Sequence, residues 1–188
     1  SFSEFVGTRI FKPLGMQNTE AYNLLTKGKV PGRAQGYIKS RRRYKAAEGD
    51  YLDGVLGDKG VYSNVSDLYN LDQALYDGKL LKSETVDLMF QPSGRYQRGR
   101  NYALGWRIKK WLPNVAYHFG WWRGFRTCFI RDMKDRRTII VLSNRVNAKK
   151  PINYWRVYQL AKKVEAPLSW DVDEEEFEFE ISQEEITE

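Results

Sequence analysis

The residues best suited to chemistry lie in a single stretch. His118, the only histidine in the chain, sits within Tyr117-His118-Phe119-Gly120-Trp121-Trp122-Arg123-Gly124-Phe125, just ahead of the apolar run Thr127-Cys128-Phe129-Ile130. An imidazole titrates near neutral pH and can hold or pass a proton there. Gly120, in a strand-like run, lets a ligand or a second backbone come closer than a side chain would permit. Phe119 and Trp122 could wall a pocket, and Arg123 could attract a carboxylate. The same nine residues also describe a plain hairpin of a buried sheet, with His118 satisfied inside the core and Arg123 a solvent-facing charge.

The other reactive side chains add little. Cys128 stands in an apolar run, the setting of a packed thiol rather than a reactive one. A single cysteine excludes an internal disulfide, and with a single histidine it excludes the usual zinc clusters. No metal and no cofactor is expected. Cys128 and His118 make a poor nucleophile and base pair, being ten residues apart on adjoining strands. None of the ten serines is followed three residues later by lysine, and no Gly-x-Ser-x-Gly elbow is present.

The elements that must position this stretch can be read from periodicity. Phe2, Phe5, Val6 and Ile10 recur on a helical face with Ser3 as a cap, and Pro13 and Gly15 stop that helix. Gly57 to Leu68 reads as a glycine-rich turn into a helix capped by Ser66 or Asn64, with Leu68, Leu71, Ala74 and Leu75 on its apolar side. A further helix runs to Phe90, capped by Ser83 and ended before Pro92. Tyr102 to Ile108 has strand character. Arg131 to Arg137 reads as a charged turn, Thr138 to Asn144 as a buried strand, and Ile152 to Val164 as a terminal helix. Glu176 to Ile181 alternates acid and apolar residues, as an edge strand or an unfolded tail does.

Several of these segments resemble the serine β-lactamase and penicillin-binding-protein family, in its class C-like branch. They are Ile10-Phe11-Lys12-Pro13-Leu14-Gly15-Met16 with Asn18-Thr19, Arg33-Ala34-Gln35-Gly36-Tyr37, Gly60-Val61-Tyr62-Ser63-Asn64-Val65-Ser66-Asp67-Leu68, and Tyr102-Ala103-Leu104-Gly105-Trp106. The resemblance implies an α+β fold, an antiparallel sheet flanked by helices, of which residues 1–167 form the C-terminal part and 168–188 an acidic tail or edge strand. It also implies a serine nucleophile in Ser-x-x-Lys, faced across the site by a Lys-Thr-Gly-type strand. His118-Phe119-Gly120 stands in the place of that strand motif. His118 would then replace its lysine, Gly120 keep the strand open, and the backbone N–H of Trp121 donate to an oxyanion. Phe119, Trp122 and Arg123 would border the substrate: a β-lactam, a D-alanyl peptide or an ester. Tyr62-Ser63-Asn64 spells the family's catalytic Tyr-x-Asn, but that tripeptide lies upstream of Pro-Leu-Gly-Met in the family and Tyr62 lies downstream. Ser-x-x-Lys and Tyr-x-Asn are therefore expected in an upstream part, the chain alone is expected to be inactive, and the family implies a periplasmic or cell-envelope location.

Composition bounds the alternatives. The chain has 188 residues, 41% of them hydrophobic and 14% aromatic, enough for a substantial core. Its net charge of +7 conceals ten acids and no base from Ser169 to Glu188, so the remainder sets 31 bases against 14 acids, a balance of +17. A basic body with an acidic end favours an anionic partner or a tail that folds over the body. Ser40 to Lys45 carries four of those bases, but no stacking platform or recognition helix accompanies them, so no nucleic acid is expected. No apolar run reaches the roughly 18 residues of a membrane span. The rival to the enzyme reading is a non-catalytic module of the same fold that recognises a peptide or the cell wall.

Overall fold

The chain first becomes helical where a serine and a glutamate cap each other. Ser1 Oγ accepts the backbone N–H of Glu4 at 3.3 Å while the Glu4 carboxylate reaches back to the terminal amine. Ser1, not Ser3, is thus the cap of α1 (Phe2–Val6), because only Ser1 has a glutamate three residues on. Gly7–Phe11 continue it in wider turns, with the Lys12 N–H donating to the Gly7 carbonyl at 3.0 Å. Gly15, at φ 67°, then turns the chain away. Phe2 and Phe5 are 43% and 61% exposed, so of the expected apolar face Val6 is buried and Ile10 half-buried.

The computed structural model describes residues 1–22, 32–47, 52, 55–97, 99–147 and 152–163. The chain divides into two compact units, Ser1–Ala148 and Lys149–Glu188. In the first, β1 (Glu20–Ala21) pairs antiparallel with β4 (Val61–Tyr62), and β2 (Tyr37–Ser40) with β3 (Arg43–Ala46). Two helices follow, α2 (Val65–Tyr76) and α3 (Ser83–Phe90). Of the two expected caps, Ser66 and Asn64, it is Asn64 that caps α2, its side chain accepting the Asp67 N–H at 2.8 Å, while Ser66 lies inside the helix. Ser83 is the first residue of α3 rather than its cap: Lys82 occupies that position without a side-chain bond.

The main sheet has five antiparallel strands in sequence order: β5 (Arg100–Tyr102), β6 (Arg107–Lys109), β7 (Leu112–Trp122), β8 (Phe125–Asp132) and β9 (Arg137–Ser143). The α+β class and the antiparallel sheet flanked by helices are as expected. Three local readings are corrected. Tyr102 to Ile108 is two strands, because Gly105 at φ 82° folds the chain back and sets Tyr102 opposite Arg107. Arg131 belongs to β8 and is buried, the turn beginning only after Asp132. Strand β9, at the sheet edge, is half-buried rather than buried. Short β10 (Arg145–Val146) leaves the main sheet and runs parallel beside β2.

The core lies between α2, α3 and one face of the sheet. Leu75, Phe90, Trp106 and Ala116 are buried together, with Leu81, Met89 and Phe129 packed against them. Trp106 meets Phe129 edge-on at 5.3 Å, geometry that aromatic quadrupoles favour, and Phe90 at a tilt at 5.5 Å. A buried ion pair pins α2 to this layer: Arg131 Nε donates to Asp72 Oδ1, and Thr138 donates to Oδ2 at 2.7 Å.

In the second unit the described residues include the expected terminal helix, α4 (Tyr154–Lys163), on which Trp155 and Tyr158 meet edge-on at 5.8 Å. The acidic segment 168–188 lies outside the described residues.

Candidate active site

The six residues singled out by sequence all fall on the β7–β8 hairpin, but on two faces. Side chains alternate along a strand, so His118, Gly120 and Trp122 share one face, opposite Phe129, Thr127 and Phe125 of β8. Phe119 and Trp121 take the other. Phe119 stacks on Tyr117 at 5.1 Å and stands opposite Cys128. Arg123 forms the two-residue turn with Gly124 at φ 51°, a strained value for a side chain bearing a Cβ.

His118 is half-buried, and its Nε2 shares a hydrogen bond with the Tyr102 hydroxyl, the two rings standing edge-on at 5.9 Å. This partner comes from β5, two strands away, and was missed because Tyr102 read as part of one continuous strand. Gly105 was the signal: a glycine inside a strand pattern marks a place where the backbone turns. Gly120 has a local reason to be glycine, since a Cβ there would fall 2.3 Å from Thr127 Oγ1.

The β7 backbone changes its surroundings at His118. Strand β6 accompanies β7 only as far as Tyr117, opposite Arg107. From His118 to Trp122, β8 is the only neighbouring strand among the described residues. Cationic side chains surround the tip, Lys59 among them already paired with Asp58 at 2.5 Å. Lys59 Nζ lies 4.5 Å from the Trp122 ring centre, the Arg123 guanidinium 5.2 Å from the same ring, and Arg126 4.3 Å from that of Trp121. Arg33 sits between Tyr62 and Phe125, at 5.1 and 5.4 Å. Lys59 and Arg33 come from loops distant in sequence, and nothing in their spacing announced them.

Gly124 fixes where this hairpin lies. A Cβ on it would fall 2.2 Å from Tyr37 N and 2.4 Å from the Gly36 carbonyl carbon, so the turn meets the start of β2 backbone to backbone. Tyr62-Ser63-Asn64 is occupied structurally. Tyr62 pairs in β4, Ser63 Oγ bonds Thr19 Oγ1 at 2.7 Å, and Asn64 caps α2. Asp67, at the start of the same helix, is buried and accepts from Asn18 N and Thr19 Oγ1, both at 2.8 Å. These bonds tie the Pro-Leu-Gly-Met-x-Asn-Thr segment to the helix that covers the sheet.

A model of the Beta-lactamase family matches residues 1–162. The chain belongs to the beta-lactamase family. Penicillin-binding protein 4* of Bacillus subtilis (strain 168) is 33% identical over 159 residues, which are 77% of this chain and 35% of that protein. Among solved structures, the penicillin-binding protein from Bacillus halodurans aligns with a TM-score of 0.69 at 20% identity, over 87% of this chain and 49% of that one. The octameric penicillin-binding protein homologue from Pyrococcus abyssi gives a TM-score of 0.70 at 22% identity, over 87% of this chain and 38% of its own. This chain therefore spans between about a third and a half of the relatives it matches. At these identities the structural likeness establishes the shared fold, and the family match establishes descent.

Membership raises the question of whether Cys128 could act as a nucleophile in place of serine. It stands opposite Phe119, on the face away from His118. Burial pushes its thiol up from 9.0 to about 12, which holds it protonated and unreactive. Iodoacetamide is expected to leave Cys128 unmodified at pH 8 in the folded chain and to label it fully in denaturant, as read by intact mass. The same shift acts on stability. Below about pH 9 both states keep the proton and nothing is lost, whereas between about 9 and 12 only the unfolded thiol ionises, so stability falls as pH rises.

Proposed function

We propose that this chain supplies the His-x-Gly wall of a β-lactamase-related serine hydrolase site, with the Ser-x-x-Lys nucleophile contributed from outside these residues. The observation that carries the proposal is the place where β6 ends. From His118 onward β7 borders an edge with no further strand beside it among the described residues, and His118 is oriented there by Tyr102.

The pairing pattern gives the edge a donor. With Trp122 and Phe125 closing a two-residue turn, they form the hydrogen-bonded pair, and alternation directs the N–H of Trp121 away from β8. That N–H would be one of two donors to the oxyanion of a tetrahedral intermediate, the other being the nucleophile's own N–H. Such a donor is worth about 100- to 1000-fold in rate. His118 would stand in for the lysine of the family's Lys-Thr-Gly, holding positive charge beside a substrate carboxylate or passing a proton. Trp122 shares its face, and the Arg123 guanidinium beside its ring favours an anionic substrate end. Phe119, on the opposite face beside Tyr117, would support the strand from behind rather than touch substrate. The substrate class is an acyl donor of the β-lactam, D-alanyl peptide or ester type.

A fluorescent penicillin tests this. The chain alone is expected to show no covalent label. A longer polypeptide that supplies an upstream Ser-x-x-Lys is expected to be acylated, and His118→Ala to slow that acylation by about 100-fold or more. Tyr102→Phe should slow it about five- to tenfold, the worth of one orienting hydrogen bond. Label on the chain itself, or no effect of His118→Ala, would refute the reading. Reversible binding of a cell-wall peptide without acylation of either polypeptide would instead favour a binding module.

A further inference from the structure

The sheet formed by β2, β3 and β10 supports the turn at Gly124 but supplies no side chain to the site, and it carries six exposed cations. Lys39, Arg41, Arg42, Arg43, Lys45 and Arg145 are all exposed on it, and residues 32–47 and 144–147 include no Asp or Glu. The ion pairs formed among the described residues lie elsewhere. Arg41 sits at the hairpin tip with φ 52°.

Register sorts these side chains. Tyr37 stands beside Arg145 on one flank and Ala46 on the other, and Lys39 stands opposite Tyr44. Tyr37, Lys39, Tyr44 and Arg145 thus share a face, with Lys39 and Arg145 at 6.0 and 5.1 Å from the Tyr44 ring centre. Arg43 and Lys45, opposite Ser40 and Ile38, take the other face, and Arg41 and Arg42 project from the end, so the cations surround the hairpin tip.

We propose that the tip of this hairpin docks on an anionic lipid bilayer. Lys and Arg beside exposed tyrosines is the composition that suits a headgroup layer, where the cations meet phosphates and the phenols sit at the boundary. A single-stranded nucleic acid would need open aromatic faces for base stacking, and the Tyr44 ring already carries two cations. The proposal is independent of the acyl-transfer reading.

Co-sedimentation with vesicles tests it. The purified chain is expected to bind vesicles of equal parts phosphatidylglycerol and phosphatidylcholine, to ignore phosphatidylcholine alone, and to release as salt rises. Arg41→Gly, Arg42→Ser and Arg43→Thr together should weaken binding roughly a hundredfold. Removing the same charge elsewhere, with Lys82→Ser, Arg95→Ser and Lys134→Ser, should change it by no more than about twofold. If the triple variant loses its far-UV circular dichroism, Arg42→Ser alone should still weaken binding about fivefold. Equal losses in both sets would assign the effect to net charge and overturn the proposal. So would the absence of vesicle binding, or tighter binding to a single-stranded oligonucleotide abolished by Tyr44→Ala.

Discussion

Replacing Asp72 by alanine is expected to lower the unfolding free energy of this chain by about 3–5 kcal/mol. Asp72 is fully buried, and Arg131, 1% exposed, donates to it from β8. Thr138 and Gln73 donate to its second oxygen at 2.7 and 3.0 Å, so the carboxylate is satisfied on both sides. Removing it strands a guanidinium between the rings of Tyr76 and Phe90, which lie 4.3 and 4.8 Å away. An unpaired buried charge costs far more than the pair returns. Urea unfolding followed by circular dichroism measures the loss, and Asp72→Leu with Arg131→Met should recover most of it. A loss below about 1 kcal/mol for Asp72→Ala would mean that water reaches the pair.

Gly124→Ala is expected to cost about 3 kcal/mol, near the top of the range for overpacking. The added methyl would meet backbone at 2.2, 2.4 and 2.7 Å, on Tyr37 and Gly36. Backbone cannot yield as a side chain can, and this backbone is held. Tyr37 N donates to the Asn144 carbonyl at 2.8 Å, and the Gly36 carbonyl accepts from Ala47 N at 2.8 Å. Gly36→Ala should cost less, because its nearest neighbour is the Phe125 ring at 2.9 Å, which can tilt. Gly7→Ala should be neutral or slightly stabilising, since nothing lies within 4 Å and its backbone is helical. Equal melting temperatures for Gly124→Ala and Gly7→Ala would show that the hairpin does not rest on β2. If the hairpin does rest there, displacing it also moves His118 and Trp121, so a longer acylating polypeptide should lose rate along with stability.

Local chemistry was legible in advance. The turn at Gly15, the strand pairing around His118 and the terminal helix follow from propensity and periodicity, which act over a few residues. The fold class came instead through the resemblance of several segments to the β-lactamase and penicillin-binding-protein family. Errors arose where a local rule had two solutions. Ser1 and Ser3 could both cap α1, and the reciprocal bond with Glu4 chose Ser1. The run from Tyr102 to Ile108 had strand residues throughout, and the left-handed backbone at Gly105 broke it in two. Arg131 read as part of a charged turn because charge usually marks surface, and it is buried here because Asp72 waits on α2 to receive it.

By itself the sequence determined the family and, through it, the α+β class, and the hairpin on which a lone histidine and its glycine sit two positions apart. Only the tertiary structure decided which of the hairpin's residues share a face, that Tyr102 orients His118, that Asp72 and Arg131 meet across 59 residues of chain, and that Gly36 and Gly124 pack backbone to backbone. Helix and strand periods are local properties of the chain. Which strand comes to lie beside which, and which buried charge finds its counter-charge, depends on where the chain folds back, and that is set by the collective packing of α2 and α3 on the sheet.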